Sequence, residues 1–340
     1  MSQKNLIVKN KTHKLLLNKL KNKKILKIYQ KFESNLNINE NFIVAVSGGP
    51  DSLALAFLSK IYSIKKKIDI KYYIIDHGLR RNSASEAKYV QNKLKSFSIN
   101  LNILKWSGSK PKRNIQSIAR NKRYKLLIEK SKELKIKNIL TGHQLDDLFE
   151  NFFIRILRGS GLNGLISLDQ KIYYNKIHII RPLIYFNKED LIYIAELVFK
   201  SYIIDPFNED DKFKRVRIRN FLKQLTSEGF DREKFILTIK NLKIANESIK
   251  FYTEKNLKNN ISFLKNKSVV IKQNFFSNSE EVVFRSITKI IQFVGKRHYP
   301  ARGKKVEKVI NMLNSKFPFK ITLGGCIIKK FSKTIIITKE

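Results

Sequence analysis

The chain has 340 residues, 42% of them hydrophobic, and a formal charge of +41 from 69 basic and 28 acidic side chains. The length suits about two domains. A single cysteine, Cys326, excludes intrachain disulfides and cysteine-built zinc or iron–sulfur sites. No apolar run approaches the roughly 18 residues of a membrane span. So large a charge points to a polyanionic partner, although a bias toward Lys, Ile and Asn along the chain explains the charge equally well. The arginines discriminate better. Nine of the 15 lie between Arg113 and Arg219. In a chain that otherwise uses lysine, arginine marks a need for planar, bidentate anion binding.

Residues 14–32 place Leu16, Leu20, Ile28 and Phe32 at helical spacing, predicting an N-terminal helix over 1–35 packed on the domain that follows. The start lacks a signal-peptide core and a transit-peptide composition, so a cytoplasmic location is expected. A strand over Asn41–Val46 ends at Ser47-Gly48-Gly49, and Ser52–Tyr62 is helical. A strand over Ile70–Ile75 ends at Asp76, and a helix capped by Ser85 runs to about Phe97. Ile99–Trp106 is a third strand with Trp106 in the core, followed by a helix over Ile115–Leu134 and a strand over Asn138–Leu140. Asp146–Leu157 is a helix closed by Gly159, and Gly159–Gly164 a flexible loop. Apolar Ile177–Ile184 leads to a helix from Asn187 to Phe199. This alternation implies parallel βαβ units, hence an α/β doubly wound parallel sheet over 36–222 whose ligands gather at the strands' carboxyl ends. Beyond that lies a smaller α+β region, 223–340. It has helices over Asp231–Lys258, Ser279–Phe293 and Arg302–Asn314, a strand over Ser268–Lys272, a hairpin around Gly324-Gly325, and a last strand over Thr334–Thr338.

Ser47-Gly48-Gly49-Pro50-Asp51-Ser52 joins a buried strand to a helix. Its glycines let backbone approach a phosphate, and the helix start offers free N–H groups and a positive dipole end. Ser47 and Ser52 add hydroxyl donors. No Gly-Lys-Ser/Thr follows, so this is not a P-loop. Asp51 beside a phosphate chain is repulsive unless a cation intervenes, which implies magnesium; the alternative is a simple helix cap. His143, Asp147 and Glu150 sit at a strand end and the helix after it, where Asp147 and Glu150 share a face. They could hold magnesium and grip an ammonium group, or the acids could merely complement the helix dipole. Arg120 and Arg123 also share a face, either toward a site or in surface pairs with Glu129 or Glu133.

The hexapeptide resembles the pyrophosphate loop of the N-type ATP pyrophosphatases. Further segments narrow the match: Asp76-His77-Gly78-Leu79-Arg80, Asn114 with Gln116 and Ala119-Arg120 through Arg123-Tyr124, and Thr141-Gly142-His143 through Asp147 and Glu150. Then come Arg155, Arg158-Gly159-Ser160-Gly161-Leu162, Arg181-Pro182-Leu183, Asp205-Pro206-Phe207-Asn208, and Arg215, Arg217 and Arg219. In order and spacing, residues 41–222 resemble the tRNA(Ile)-lysidine synthetase family, and the C-terminal third resembles it loosely through Arg302-Gly303-Lys304-Lys305 and the final hairpin.

The resemblance implies an enzyme that uses ATP and magnesium to adenylate the wobble cytidine of an isoleucine tRNA with anticodon CAU, then attaches L-lysine. It implies nucleotide contacts from Ser47, Gly48, Gly49, Pro50, Asp51, Ser52 and Asp76. Metal contacts would come from Asp51 and Asp147, and catalytic roles would fall to Asp51, Asp147, Arg120, His143 and Glu150. Arg158, Arg217, Arg219, Arg302, Lys304 and Lys305 would bind tRNA. Two other readings stand beside it: a tRNA thiolase of the same superfamily, for which one cysteine is a poor fit, and a non-catalytic basic RNA-binding protein, which leaves Asp51 and the acids without a purpose.

Overall fold

Strand periodicity and helix capping build two units, residues 1–230 and 231–340. The computed structural model describes residues 3–340 apart from 112–114, 175, 205–211, 213, 265–267, 298–299, 316 and 333, and leaves out the side chains of 3–10 and 116. Arg113, Asn114, the Gln116 side chain and the segment from Asp205 to Asn208 therefore lie outside the described residues.

In the first unit, strands β1 (Phe42–Val46), β2 (Ile70–Asp76), β3 (Leu101–Lys105), β4 (Asn138–Leu140), β5 (Lys171–Tyr174) and β6 (Ile177–Ile180) form one sheet of order β3-β2-β1-β4-β6-β5. The first five strands in that order are parallel. β5 pairs antiparallel with β6 at the edge and was not legible beforehand, since its residues are largely exposed and polar or aromatic.

Alternate side chains of the central strands serve opposite faces. Phe42, Val44, Val46, Tyr72 and Ile74 enter one core with α2 (Lys23–Leu36), α3 (Pro50–Lys66), α4 (Ser83–Lys95) and α8 (Lys188–Phe199). Ile43, Tyr73, Ile75 and Ile139 enter another with Leu127 and Ile128 of α5 (Ile115–Glu133). Helices on both faces are what an all-buried parallel sheet requires.

Local details differ from expectation for identifiable reasons. The N-terminal helix is two, α1 (Gln3–Asn18) and α2, because Asn22 breaks the run and caps α2 by accepting from Ile25 N at 3.1 Å. α4 starts at Ser83 after Asn82, and Ser85 lies inside it, donating to Asn82 O at 2.9 Å. Beyond α6 (Leu145–Ile156), the expected flexible loop contains a helical turn, α7 (Leu162–Leu165). α9 (Lys214–Ser227) completes the first unit and buries Val216, Ile218 and Leu222.

In the second unit, α10 (Arg232–Asn260), α11 (Glu280–Val294) and α12 (Gly303–Asn314) accompany an antiparallel sheet of order β7-β8-β11-β10-β9. Its strands are β7 (Ile261–Phe263), β8 (Val269–Ile271), β9 (Phe319–Leu323), β10 (Cys326–Phe331) and β11 (Thr334–Lys339). Its core includes Phe275, Ile287, Val306, Ile328 and Ile337. Among the described residues no helix is long and apolar enough to cross a membrane.

Candidate active site

β1 lies between β2 and β4, so the carboxyl ends of these three parallel strands, carrying the Ser47 loop, Asp76 and Thr141–His143, are neighbours. Gly49 is the N-cap of α3 and Pro50 its first residue, a position where a missing N–H is harmless. Ser52 fastens the loop to itself. Its hydroxyl accepts from Ser47 N at 3.0 Å and Gly48 N at 3.1 Å, lies 3.2 Å from Ser47 Oγ, and donates to Gly49 O at 2.9 Å. Ser52 is thus a positioning group rather than the free donor expected from sequence. Gly48 has φ +89°, and a Cβ there would stand 2.8 Å from Val90 Cγ2 and 3.0 Å from Ile203 Cδ1.

The β4–α6 connection lies directly on this turn. A Cβ on Gly142 would meet Asp51 C, Asp51 O and Ser52 Cα, each at 3.3 Å, so the bare glycine permits the approach. α6 opens with a capping box, in which Gln144 Oε1 accepts from Asp146 N at 2.7 Å and Asp147 Oδ2 accepts from Gln144 N at 3.0 Å. Asp147 therefore caps its helix with one oxygen and still faces Asp51 electrostatically. Leu145 N donates to Phe186 O at 3.1 Å, which draws the segment before α8 to the start of α6. The starts of α3, α6 and α8 converge, with Asp51, Asp146, Asp147 and Lys188 in their first turns.

Charge is concentrated there. The Asp51 carboxyl is pushed up from 3.8 to about 7, first by burial and then by Asp147, with Asp146 adding to the rise and Lys188 and Arg219 opposing it. Asp51 Oδ1 is buried and has no hydrogen-bond partner among the described residues. His143 Nδ1 lies 2.9 Å from Thr141 Oγ1. Burial, then Arg120, Arg181, Arg123 and Arg215, hold this imidazole well below the usual histidine range, so it is neutral at physiological pH. A neutral ring within electrostatic reach of four guanidinium groups leaves a net positive corner beside Asp51 and Asp147. Arg181 is only 3% exposed. It donates to Asp169 O at 2.5 Å, and among the described residues no carboxylate pairs with it. Arg120 reaches Tyr124 OH at 3.3 Å. The surface partners considered for Arg120 and Arg123 are engaged elsewhere, Glu129 with Lys125 at 3.9 Å and Glu133 with Lys130 at 2.6 Å.

Other expected residues fall differently. Glu150, 2% exposed, takes the Arg219 Nε and Nη2 on Oε1, each at 2.8 Å. One was expected in catalysis and the other on RNA; they meet as an ion pair whose carboxylate is buried and whose guanidinium is 28% exposed, because a desolvated carboxylate alone is unfavourable. Asp76 is buried, and its Oδ1 accepts from Gly78 N at 2.9 Å and Ser83 Oγ at 2.8 Å, so it pins the β2–α4 turn. Trp106 is not core. It is half-buried at the carboxyl end of β3, edge-on to His77 at 6.0 Å, under the Lys110 ammonium at 4.4 Å. Arg158 and Arg217 are exposed in the first unit. In the second unit Arg302 is the N-cap of α12, and Lys304 and Lys305 occupy its exposed first turn. Lys188 had been missed. Its signal was a cation in a helix's first turn, where the dipole opposes it.

A family profile described as a PP-loop domain matches residues 17–226. The tRNA(Ile)-lysidine synthase of Wolbachia pipientis wMel is 33% identical over 306 residues, covering 89% of this chain and 71% of that protein. The chain belongs to the tRNA(Ile)-lysidine synthase family. The Rickettsia felis synthase is also 33% identical, over 330 residues, covering 92% of this chain and 74% of its own. The Rhodopseudomonas palustris synthase is 29% identical and covers 87% and 89%. Among solved structures, the chain is similar in fold to the U34-tRNA thiolase NcsA of Methanococcus maripaludis with its [4Fe-4S] cluster. The TM-score is 0.57 with 17% identity, covering 66% of this chain and 79% of that one. In this family member the single cysteine lies in the second unit, buried, bonded to Ile291 O at 3.2 Å and with its thiol pushed up to about 11 by burial. One thiol cannot supply the set of cysteine ligands that such a cluster needs, and burial disfavours its thiolate.

Proposed function

We propose that this protein adenylates the wobble cytidine of a CAU-anticodon isoleucine tRNA with ATP and then joins L-lysine to it, releasing pyrophosphate and AMP. The observation that carries this reading is the pairing of a glycine loop at a helix start with the buried Asp51 carboxyl beside Asp147, in a chain of the lysidine synthase family. ATP use follows from the PP-loop domain and tRNA as substrate from the family. The particular tRNA, lysine, magnesium and a cytoplasmic setting belong to the proposal.

The loop and the α3 N-terminus would receive the phosphates, with Lys188 beside them. Magnesium fits the donor set. Asp51 Oδ1 is buried without a partner among the described residues, and Asp147 lies close enough to raise it. Two carboxylates would leave the remaining positions of the ion to phosphates and water. When bound, magnesium would offset charge on the leaving pyrophosphate. Arg120 and Arg181 would stabilise the α-phosphate as the cytidine O2 attacks it. Adenylation turns a poor leaving group into a good one, so that the lysine ε-amine can displace AMP. That amine, with a reference pKa of about 10.4, must first lose a proton. Glu150 is committed to Arg219, which leaves the Asp147 carboxylate as the acceptor. Domain roles follow, with the expected boundary at 222 moved to the end of the first unit because α9 runs through it: residues 1–35 would brace the catalytic part, 36–230 would carry the chemistry, and 231–340 would contact tRNA through Arg302, Lys304 and Lys305.

The test is incubation with ATP, labelled lysine and total tRNA, followed by nucleoside mass analysis. Lysine on cytidine with equimolar AMP is expected. Sulfur in the product, or binding without AMP release, would reject the reading in favour of a thiolase or a passive RNA binder.

A further inference from the structure

Residues 201–204 have no regular secondary structure, yet they hold the nucleotide loop from outside. Ile203 N donates to Gly48 O at 2.9 Å, while Gly48 N donates to the Ser52 hydroxyl at 3.1 Å. Both polar groups of Gly48 are therefore fixed, one by the loop itself and one by this segment. The Ile203 side chain closes the same face, 3.0 Å from where a Gly48 Cβ would stand. A segment without its own ladder takes its position from anchors, and these anchors lie on α4. Lys93 Nζ donates to Phe199 O at 3.1 Å, Ser201 O at 2.7 Å and Ser201 Oγ. Tyr89 OH lies 3.0 Å from the same Ser201 Oγ. The ammonium also meets the negative end of the α8 dipole, where a cation is favoured. Val90, between these two residues, is the other side chain facing Gly48, at 2.8 Å from a Cβ placed there.

We propose that Lys93 is a positioning residue for ATP: with Tyr89 it pins Ser201, and through Ile203, which holds Gly48 O, it orients the Gly48–Gly49 peptide so that the Gly49 N–H at the helix cap faces the phosphates. A backbone strap then adds to the nucleotide affinity that the side chains in the site supply. This rests on reading the loop as the nucleotide site, and the test separates the two. In the full-length protein, ATP affinity is measured by titration calorimetry without tRNA, and KM is measured for ATP, lysine and tRNA. Lys93→Met should weaken ATP binding and raise KM for ATP roughly tenfold, the low end of a hydrogen bond to a charged group. KM for lysine and tRNA should stay within twofold, and Lys93→Arg should recover most of the loss. Tyr89→Phe should fall between wild type and Lys93→Met. Unchanged ATP affinity in Lys93→Met would overturn the proposal. So would an equal loss for all three substrates with a lower Tm, which would mean general loosening of α4 against α8. Normal ATP binding by wild type without lysidine formation would reject the functional reading and leave the strap standing.

Discussion

Replacing Asp51 with asparagine is expected to abolish lysidine formation and, in ligand-free protein, to raise stability at alkaline pH. The folded state holds this carboxyl at about 7 against 3.8 for the free group, chiefly through burial and then Asp147. A raised acid is bound to its proton more tightly when folded. Its contribution to stability is therefore complete below about pH 3.8 and is lost as pH rises through about 7. The difference is a little over three units. At about 1.36 kcal/mol each, the ceiling is about 4 kcal/mol at pH 8. Relaxation and water entry lower it; about 2 kcal/mol realised would raise the Tm by roughly 4–8 °C in a unit of this size. The assay is thermal unfolding of both proteins at pH 8 and pH 5. The asparagine variant should melt higher at pH 8, the gap should shrink to under half at pH 5, and magnesium with ATP should close it by stabilising wild type alone. A variant melting at or below wild type at pH 8 would show that the carboxylate is already compensated, and the charge argument for the site would fail.

Arg219→Ala leaves the buried Glu150 carboxylate without its partner and should destabilise the protein by about 1–3 kcal/mol in urea, with Glu150→Gln in the same chain recovering much of it. Arg217→Ala, at an exposed position on the same helix, should lower tRNA affinity without that loss. His143 should show a neutral ring by nitrogen NMR through pH 6, where a histidine of reference pKa about 6.5 is mostly charged; an imidazolium signal there would contradict the arginine surround. Alanine at Arg302, Lys304 and Lys305 together should reduce the salt slope of tRNA binding by roughly 0.7–0.9 per lost phosphate contact, and an unchanged slope would make them plain surface. A tRNA with uridine at the wobble position should be lysinylated roughly fivefold to more than a hundredfold more slowly, because one unpaired buried donor costs about 1–3 kcal/mol.

Much of this was legible in residue order. Apolar strands alternating with helices specified a parallel sheet, and the ends of β1, β2 and β4 marked where chemistry would gather, because period and punctuation are local properties of the chain. Local signals also put Asp51, His143 and Asp147 at strand ends and helix starts, where the fold gathers them. Which charges meet is different in kind. Sequence placed Glu150 beside Asp147 on a shared helix face and left Arg219 to the RNA. Only the packing of α9 on α6 joined Glu150 to Arg219, across 69 residues of chain. Likewise Lys93, 108 residues from Ser201, carries no motif. Its meaning lies in the end of α8 that tertiary packing brings to it. Spacing along a chain reports which side chains share a face, whereas desolvation and Coulomb energy depend on distances through space, which the fold alone decides.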